Sequence, residues 1–265
     1  MPAAQRRRLI GVSLKMYMGL ARTRDWMRAL AAMLPEGLPK GLPDGLPDDV
    51  DLFVIPSFLS LADSASILAG TRVALGAQDV FWEDSGAYTG EVSAPMLAEA
   101  GCRFVEIGHA ERRRLFGETD ADVARKVQAA TRAGLVPLLC VGEETETGIE
   151  AAAEACARQI ADGTAGTSND ATLVIAYEPV WAIGAAAPPP PARIMAMAGH
   201  LRRILADRPR TRLIYGGSAG PGLLTALGDC VDGLFLGRFA HDIEALRSVL
   251  REAASATDRQ GRTDP

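Results

Sequence analysis

The sequence predicts a single-domain α/β protein built as a (β/α)8 barrel. Eight short apolar, often β-branched runs alternate with helix-like segments along the chain. Its 265 residues and 48% hydrophobic content suit one large barrel with a sizeable core. Ionisable residues also stand just past the ends of several runs. In a parallel barrel every strand C-terminus points to one face, where active sites sit.

The strands are expected at 9–14, 52–55, 72–77, 104–107, 136–141, 173–176, 213–215 and 233–236. Most are continuous apolar runs rather than alternating ones, as strands buried on both faces require. Helices are expected between them. One over 120–133 starts with Thr119 three residues before Asp122, an N-terminal capping pattern. Another over 191–206 follows consecutive prolines, the last of which, Pro191, suits a first-turn position. The Gly-Leu-Pro tandem at 37–47 predicts an exposed loop between the first helix and second strand, because proline blocks helix and glycine weakens strand. The barrel domain is expected over 1–255, followed by a polar, flexible C-terminal tail at 256–265.

Composition excludes several classes. Net charge is −5 and the pI about 5.3, which argues against a nucleic-acid partner. No apolar stretch approaches the roughly 20 residues of a membrane span. The run Arg6-Arg7-Arg8 fails as a signal-peptide start, since Lys15 breaks the apolar segment after it. Cys102, Cys140, Cys156 and Cys230 show no paired framework and no CxxC, so reduced thiols in a cytoplasmic protein are expected. Cys140, at a strand end, reads as packed rather than reactive. No metal-ligand spacing is visible.

Two stretches carry chemistry. Phe104-Val105-Glu106-Ile107-Gly108-His109 and Ile175-Ala176-Tyr177-Glu178-Pro179 each run from a buried strand to an ionisable side chain. His109 and Glu178 could therefore meet over one pocket. A carboxylate base and an imidazole are what proton abstraction beside a carbonyl needs. Tyr177, Pro179, Val180 and Trp181 would partly desolvate Glu178 and raise its basicity. His200 and His241, on helical segments, read as surface residues.

Together with Gly76-Ala77-Gln78-Asp79, Gly86-Ala87-Tyr88-Thr89-Gly90-Glu91, Phe116-Gly117-Glu118-Thr119-Asp120, Val141-Gly142-Glu143 and Tyr215-Gly216-Gly217-Ser218, these stretches resemble the triosephosphate isomerase family from Gly11 to about Leu250. The resemblance implies the TIM-barrel fold and an aldose–ketose phosphate isomerase working through an enediolate, with no cofactor. The usual substrate pair is glyceraldehyde 3-phosphate and dihydroxyacetone phosphate. It assigns Glu178 as general base, His109 as neutral electrophile and Lys15 as electrostatic partner of phosphate and enediolate; these roles are the family's, carried over by position. It further implies a phosphate site from Gly184, Gly216, Gly217, Ser218 and Gly237, with residues 180–187 as a lid. It implies a homodimer in which the loop from Gln78 to Glu91 brings Thr89 to the partner's site. Glu111 and Arg112 read as structural charge pairs behind the site.

Four positions depart from the family pattern. Ser13 replaces an asparagine, Ala110 a serine, residues 185–187 are all alanine at the lid hinge, and Gly237-Arg238 replaces Gly-Gly. Ser13 frees space beside Lys15, and Arg238 brings a guanidinium suited to phosphate. Such changes resemble the relatives that isomerise four-carbon ketose phosphates such as erythrulose phosphates. An inactive barrel kept as a binding module is the distant alternative; it predicts loss of Lys15, His109 or Glu178, and all three are present. A Schiff-base lyase needs a lysine inside the barrel, where none is expected.

Overall fold

Eight parallel strands close into a barrel in sequence order, in a computed structural model that describes residues 7–34, 49–184 and 189–258. The elements are β1 (Arg8–Ser13), α1 (Leu20–Met33), β2 (Val50–Ile55), α2 (Leu61–Ile67), β3 (Val73–Ala77), α3 (Ala94–Glu99), β4 (Cys102–Ile107), α4 (Ala110–Phe116), α5 (Asp120–Arg132), β5 (Val136–Val141), α6 (Ile149–Gly163), β6 (Leu173–Tyr177), α7 (Pro191–Ile204), β7 (Thr211–Tyr215), α8 (Leu223–Leu227), β8 (Gly233–Leu236) and α9 (Ile243–Asp258). β1 closes the barrel against β8, with Val12 opposite Leu236. The predicted fold is therefore the observed one, and strands differ from expectation only by a residue or two at their ends. The Gly-Leu-Pro tandem and the hinge alanines lie outside the described residues, as do residues 259–265 of the expected tail. Helix α9 continues to Asp258, past the expected boundary at 255.

Alternation along each strand divides the core in two. Outward side chains pack under the helices. Inward ones, including Leu9, Phe53, Phe104, Leu138, Val174, Ile214 and Phe235, fill the barrel. Phe53 lies across the centre, 4.4 Å from the Phe104 ring centroid and 5.9 Å from that of Phe235. Gly11 makes this possible: a Cβ there would fall 2.2 Å from Phe53 Cζ. Arg212 closes the bottom, its guanidinium donating to Asp51 Oδ2 at 2.9 Å and to the Arg7 carbonyl. Arg8 begins β1 buried and donates to the Val231 carbonyl at 2.9 Å. Both helix starts read from sequence are present: Thr119 and Asp122 form a reciprocal capping box on α5, and Pro191 is the first residue of α7. Among the described residues no helix is long and apolar enough to cross a membrane.

Candidate active site

At the C-terminal face of the barrel, Glu178, His109 and Lys15 meet within hydrogen-bonding range. His109 Nε2 lies 3.2 Å from Glu178 Oε2 and 3.3 Å from Lys15 Nζ. His109 and Glu178 are each 4% exposed, so their interaction is little screened by water.

Each member is held by its local fold. His109 is the N-cap of α4, and its Nδ1 accepts the backbone N–H of Glu111 at 3.1 Å. Gly108 before it is gripped at both ends. Its N–H donates to Glu118 Oε1 at 3.0 Å, and its carbonyl accepts from Arg113 Nε at 2.9 Å. Behind this turn, Glu118 and Asp79 share Lys126 at 2.6 and 2.7 Å and Arg112 at 2.9 and 2.8 Å. Arg112 thus pairs with two carboxylates behind the turn. Glu111 is not behind the site but in it: its Oε1 accepts from Lys15 Nζ at 2.8 Å.

Lys15 has φ +46°, the one non-glycine positive φ among the described residues. Such a conformation costs about 1–2 kcal/mol and persists only where surroundings fix it. Gln78 does so, donating to the Lys15 carbonyl at 2.9 Å. Glu178 follows β6, and its N–H donates to the Val141 carbonyl at 2.8 Å. Gly216 leaves room for its carboxylate, since a Cβ there would fall 2.5 Å from Glu178 Oε1. Cys140 Sγ lies 3.8 Å from the same oxygen, and burial pushes that thiol far up, so it packs and does not ionise.

The protonation of His109 is set by opposing influences. Burial lowers its proton affinity, while the charge and hydrogen bond of Glu178 and the charge of Glu106 raise it, and together these carry it up to about 9. A proton on Nδ1, however, would face the Glu111 N–H donor head-on at the positive end of α4. The Glu111 N–H therefore favours a neutral ring with its proton on Nε2, aimed at the site.

The cavity is about 620 Å³, within the range of small-molecule sites. Ser13, Lys15, His109, Glu111 and Glu178 line it together with Gly184, Gly216, Gly217, Ser218, Gly237 and Arg238. Ser218 Oγ donates to the Ala182 carbonyl at 3.0 Å, tying the loop after β7 to the start of the expected lid. A Cβ on Gly184 would lie 3.9 Å from Arg238 Nη2, so the guanidinium reaches across the cavity mouth. Thr89 is not in this chain's own site; it is exposed in the loop after β3. His241 is half-buried rather than on the surface, its ring edge-on to Tyr17 at 5.5 Å. His200 is half-buried as well. Among the described residues no group of His, Cys, Asp and Glu is arranged to hold a metal ion.

The family model for triosephosphate isomerase matches residues 8–253. The chain belongs to the triosephosphate isomerase family. It is 47% identical over 256 residues to the L-erythrulose-1-phosphate isomerase of Pectobacterium atrosepticum, covering 94% of this chain and 97% of that relative. To the triosephosphate isomerase of Symbiobacterium thermophilum it is 43% identical over 223 residues, 79% of this chain and 86% of the relative. It is 38% identical to the L-erythrulose-1-phosphate isomerase of Brucella abortus over 257 residues, 93% and 96% of the two chains.

Sequence reading missed two carboxylates at this site. Glu143 accepts from Trp181 Nε1 at 3.0 Å and from Arg193 at 3.1 Å, anchoring the segment after Glu178. Glu106 lies on the barrel floor, 4% exposed, and accepts from Ser13 Oγ at 3.1 Å. The signal was there: alternation from inward-facing Phe104 turns Glu106 inward too. Burial first, and then the negative charge of Glu178, push its carboxyl up to about 7, against the charge of Lys15 and the Ser13 hydrogen bond. A carboxyl raised on folding stabilises the fold fully below its unfolded value near 4.5, and that contribution is lost as pH rises through 7. Glu106→Gln cannot ionise, so its stability relative to the parent is expected to climb between pH 5 and pH 8, by up to about 3 kcal/mol. Thermal unfolding across that range checks this; a pH-independent difference contradicts it.

Proposed function

We propose that this chain isomerises short phosphorylated sugars by moving a proton between two adjacent carbons. The observation that carries the proposal is the convergence of Glu178, His109 and Lys15 on one point, 3.2 and 3.3 Å about His109 Nε2. A substrate carbonyl oxygen entering there takes over the Nε2–H and the ammonium. Glu178 removes the proton from the carbon beside that carbonyl. The electron pair forms the enediolate double bond, and its charge rests on oxygen against Lys15 and His109. Return of the proton to the neighbouring carbon, with exchange of the hydroxyl proton between the two oxygens, completes the isomerisation. No external oxidant or reductant is needed. The glycine-lined loops after β6, β7 and β8, with Ser218 and Arg238, suit the phosphate. Residues 180–187 act as its lid.

As substrate we propose a four-carbon ketose phosphate. Ser13 and Arg238, which depart from the family pattern, both line the cavity, and relatives 47% and 38% identical over nearly the whole chain are named for L-erythrulose 1-phosphate. On a ketotetrose 1-phosphate the proton passes between C3 and C2, and the product is the 4-phosphorylated ketose. Triose phosphate is the second reading, favoured by the 43% identical triosephosphate isomerase. The chemical step is the same, but the proton passes between C2 and the terminal C1, and glyceraldehyde 3-phosphate, an aldehyde, is converted into a ketone. Comparing kcat/KM for L-erythrulose 1-phosphate and glyceraldehyde 3-phosphate separates the readings. On the better substrate, Glu178→Gln should lower kcat by about 10²–10⁴-fold. Near-parental kcat would contradict the base assignment.

We also infer a homodimer, in the cytoplasm. Phe81 packs against Trp82 and Tyr88 at 4.2 and 4.6 Å between ring centroids, stiffening the loop that carries exposed Thr89. Met16, next to Lys15, is 94% exposed, an apolar side chain suited to cover by a second copy. Light scattering should give about twice 28.0 kDa. A monomer mass at micromolar concentration would contradict the dimer.

A further inference from the structure

The chemistry above leaves one buried group unused. Glu106 extends from β4 into the barrel among Phe53, Phe104, Leu138 and Phe235, where burying a polar group costs free energy unless it is hydrogen-bonded. Among the described residues its one hydrogen-bond partner is Ser13, whose Oγ donates to Oε2 at 3.1 Å. Its other oxygen lies 3.9 Å from His109 Nε2, the nitrogen that faces the reacting carbons. Ser13 lines the cavity, and Glu106 stands behind it.

Position says what this pair could meet. The phosphate end of the cavity is fixed by Gly184, Ser218, Gly237 and Arg238, and the reacting carbons must lie against Glu178 and His109. A further carbon bonded to them comes within reach of Ser13, whose Oγ is held by the Glu106 carboxyl 3.9 Å from the same His109 Nε2. The cavity volume admits three or four carbons alike, so size does not choose between them. Polar groups on the floor can.

We propose that Ser13 and Glu106 form a subsite for the terminal hydroxymethyl group of a four-carbon ketose phosphate and set the preference for it over triose phosphate. The inference rests on the isomerase reading and deepens it. A hydroxyl both donates and accepts. Ser13 can do either, and a carboxyl held up near 7 is partly protonated at neutral pH and can do the same. Sites built to hydrogen-bond a substrate hydroxyl discriminate far better than apolar pockets do. In a triose complex, water takes the hydroxymethyl position.

The test is the ratio of kcat/KM for L-erythrulose 1-phosphate to that for glyceraldehyde 3-phosphate. Glu106→Val should lower the ratio by about 10²-fold, mostly through the tetrulose. Glu106→Gln, which still donates and accepts, should keep it within about tenfold of the parent. Ser13→Asn, which fills the space while leaving the carboxyl in place, should lower it by at least about tenfold and serves if the valine variant does not fold. Inhibition should follow the same pattern without turnover: Glu106→Val should weaken erythritol 4-phosphate and leave glycerol 3-phosphate unchanged. A ratio unmoved in Ser13→Asn and Glu106→Val, or equal losses on both substrates, overturns the subsite alone. A parent chain inactive on both substrates overturns the isomerase reading and the subsite with it.

Discussion

The backbone N–H of Glu111, donated to His109 Nδ1 at 3.1 Å, is the interaction on which the site depends. It fixes which imidazole nitrogen carries the proton, turns Nε2 toward Glu178 and Lys15, and starts α4 at the same time. Without it the ring stands between two carboxylates, Glu178 at 3.2 Å and Glu106 at 3.9 Å, whose charges favour an imidazolium. An imidazolium binds an enediolate strongly but makes a poorer proton shuttle between its two oxygens. One main-chain hydrogen bond thus selects the chemical species that the proposed isomerisation uses.

Holding that bond in place takes structure well away from the reacting atoms. The turn at Gly108 is clamped by Glu118 and Arg113, and Glu118 is clamped by Lys126 and Arg112, which also hold Asp79 after β3. Removing one member of such a buried set leaves an uncompensated charge, which is why these pairs matter more than exposed ones. Gln78, one residue before Asp79, fixes the strained Lys15 turn from the same loop. The loop after β3 therefore supports both Lys15 and His109.

The barrel was legible because its signals are local and repeated. Continuous apolar runs mark strands buried on both faces, and Thr119 and Pro191 mark helix starts by their own chemistry. Lys15, His109 and Glu178 were legible because strand ends share one face. What the sequence did not disclose depends on where the ends of long side chains land or on pairing across the barrel. Glu111 read as a supporting charge until its carboxylate was found on Lys15 at 2.8 Å. Glu143 gave no sign that Trp181 and Arg193 would converge on it. Glu106 differs, because strand alternation alone turns it inward; a carboxylate at an inward strand position was readable and was passed over beside the more familiar His109.

The most direct test of this account is the protonation of His109 in the free protein, read by ¹⁵N NMR of imidazole-labelled chain near pH 7. The geometry predicts a neutral ring, with Nε2 protonated and Nδ1 bare and hydrogen-bonded by Glu111. Two protonated nitrogens would contradict it and would show that Glu178 and Glu106, rather than the main chain, govern the site.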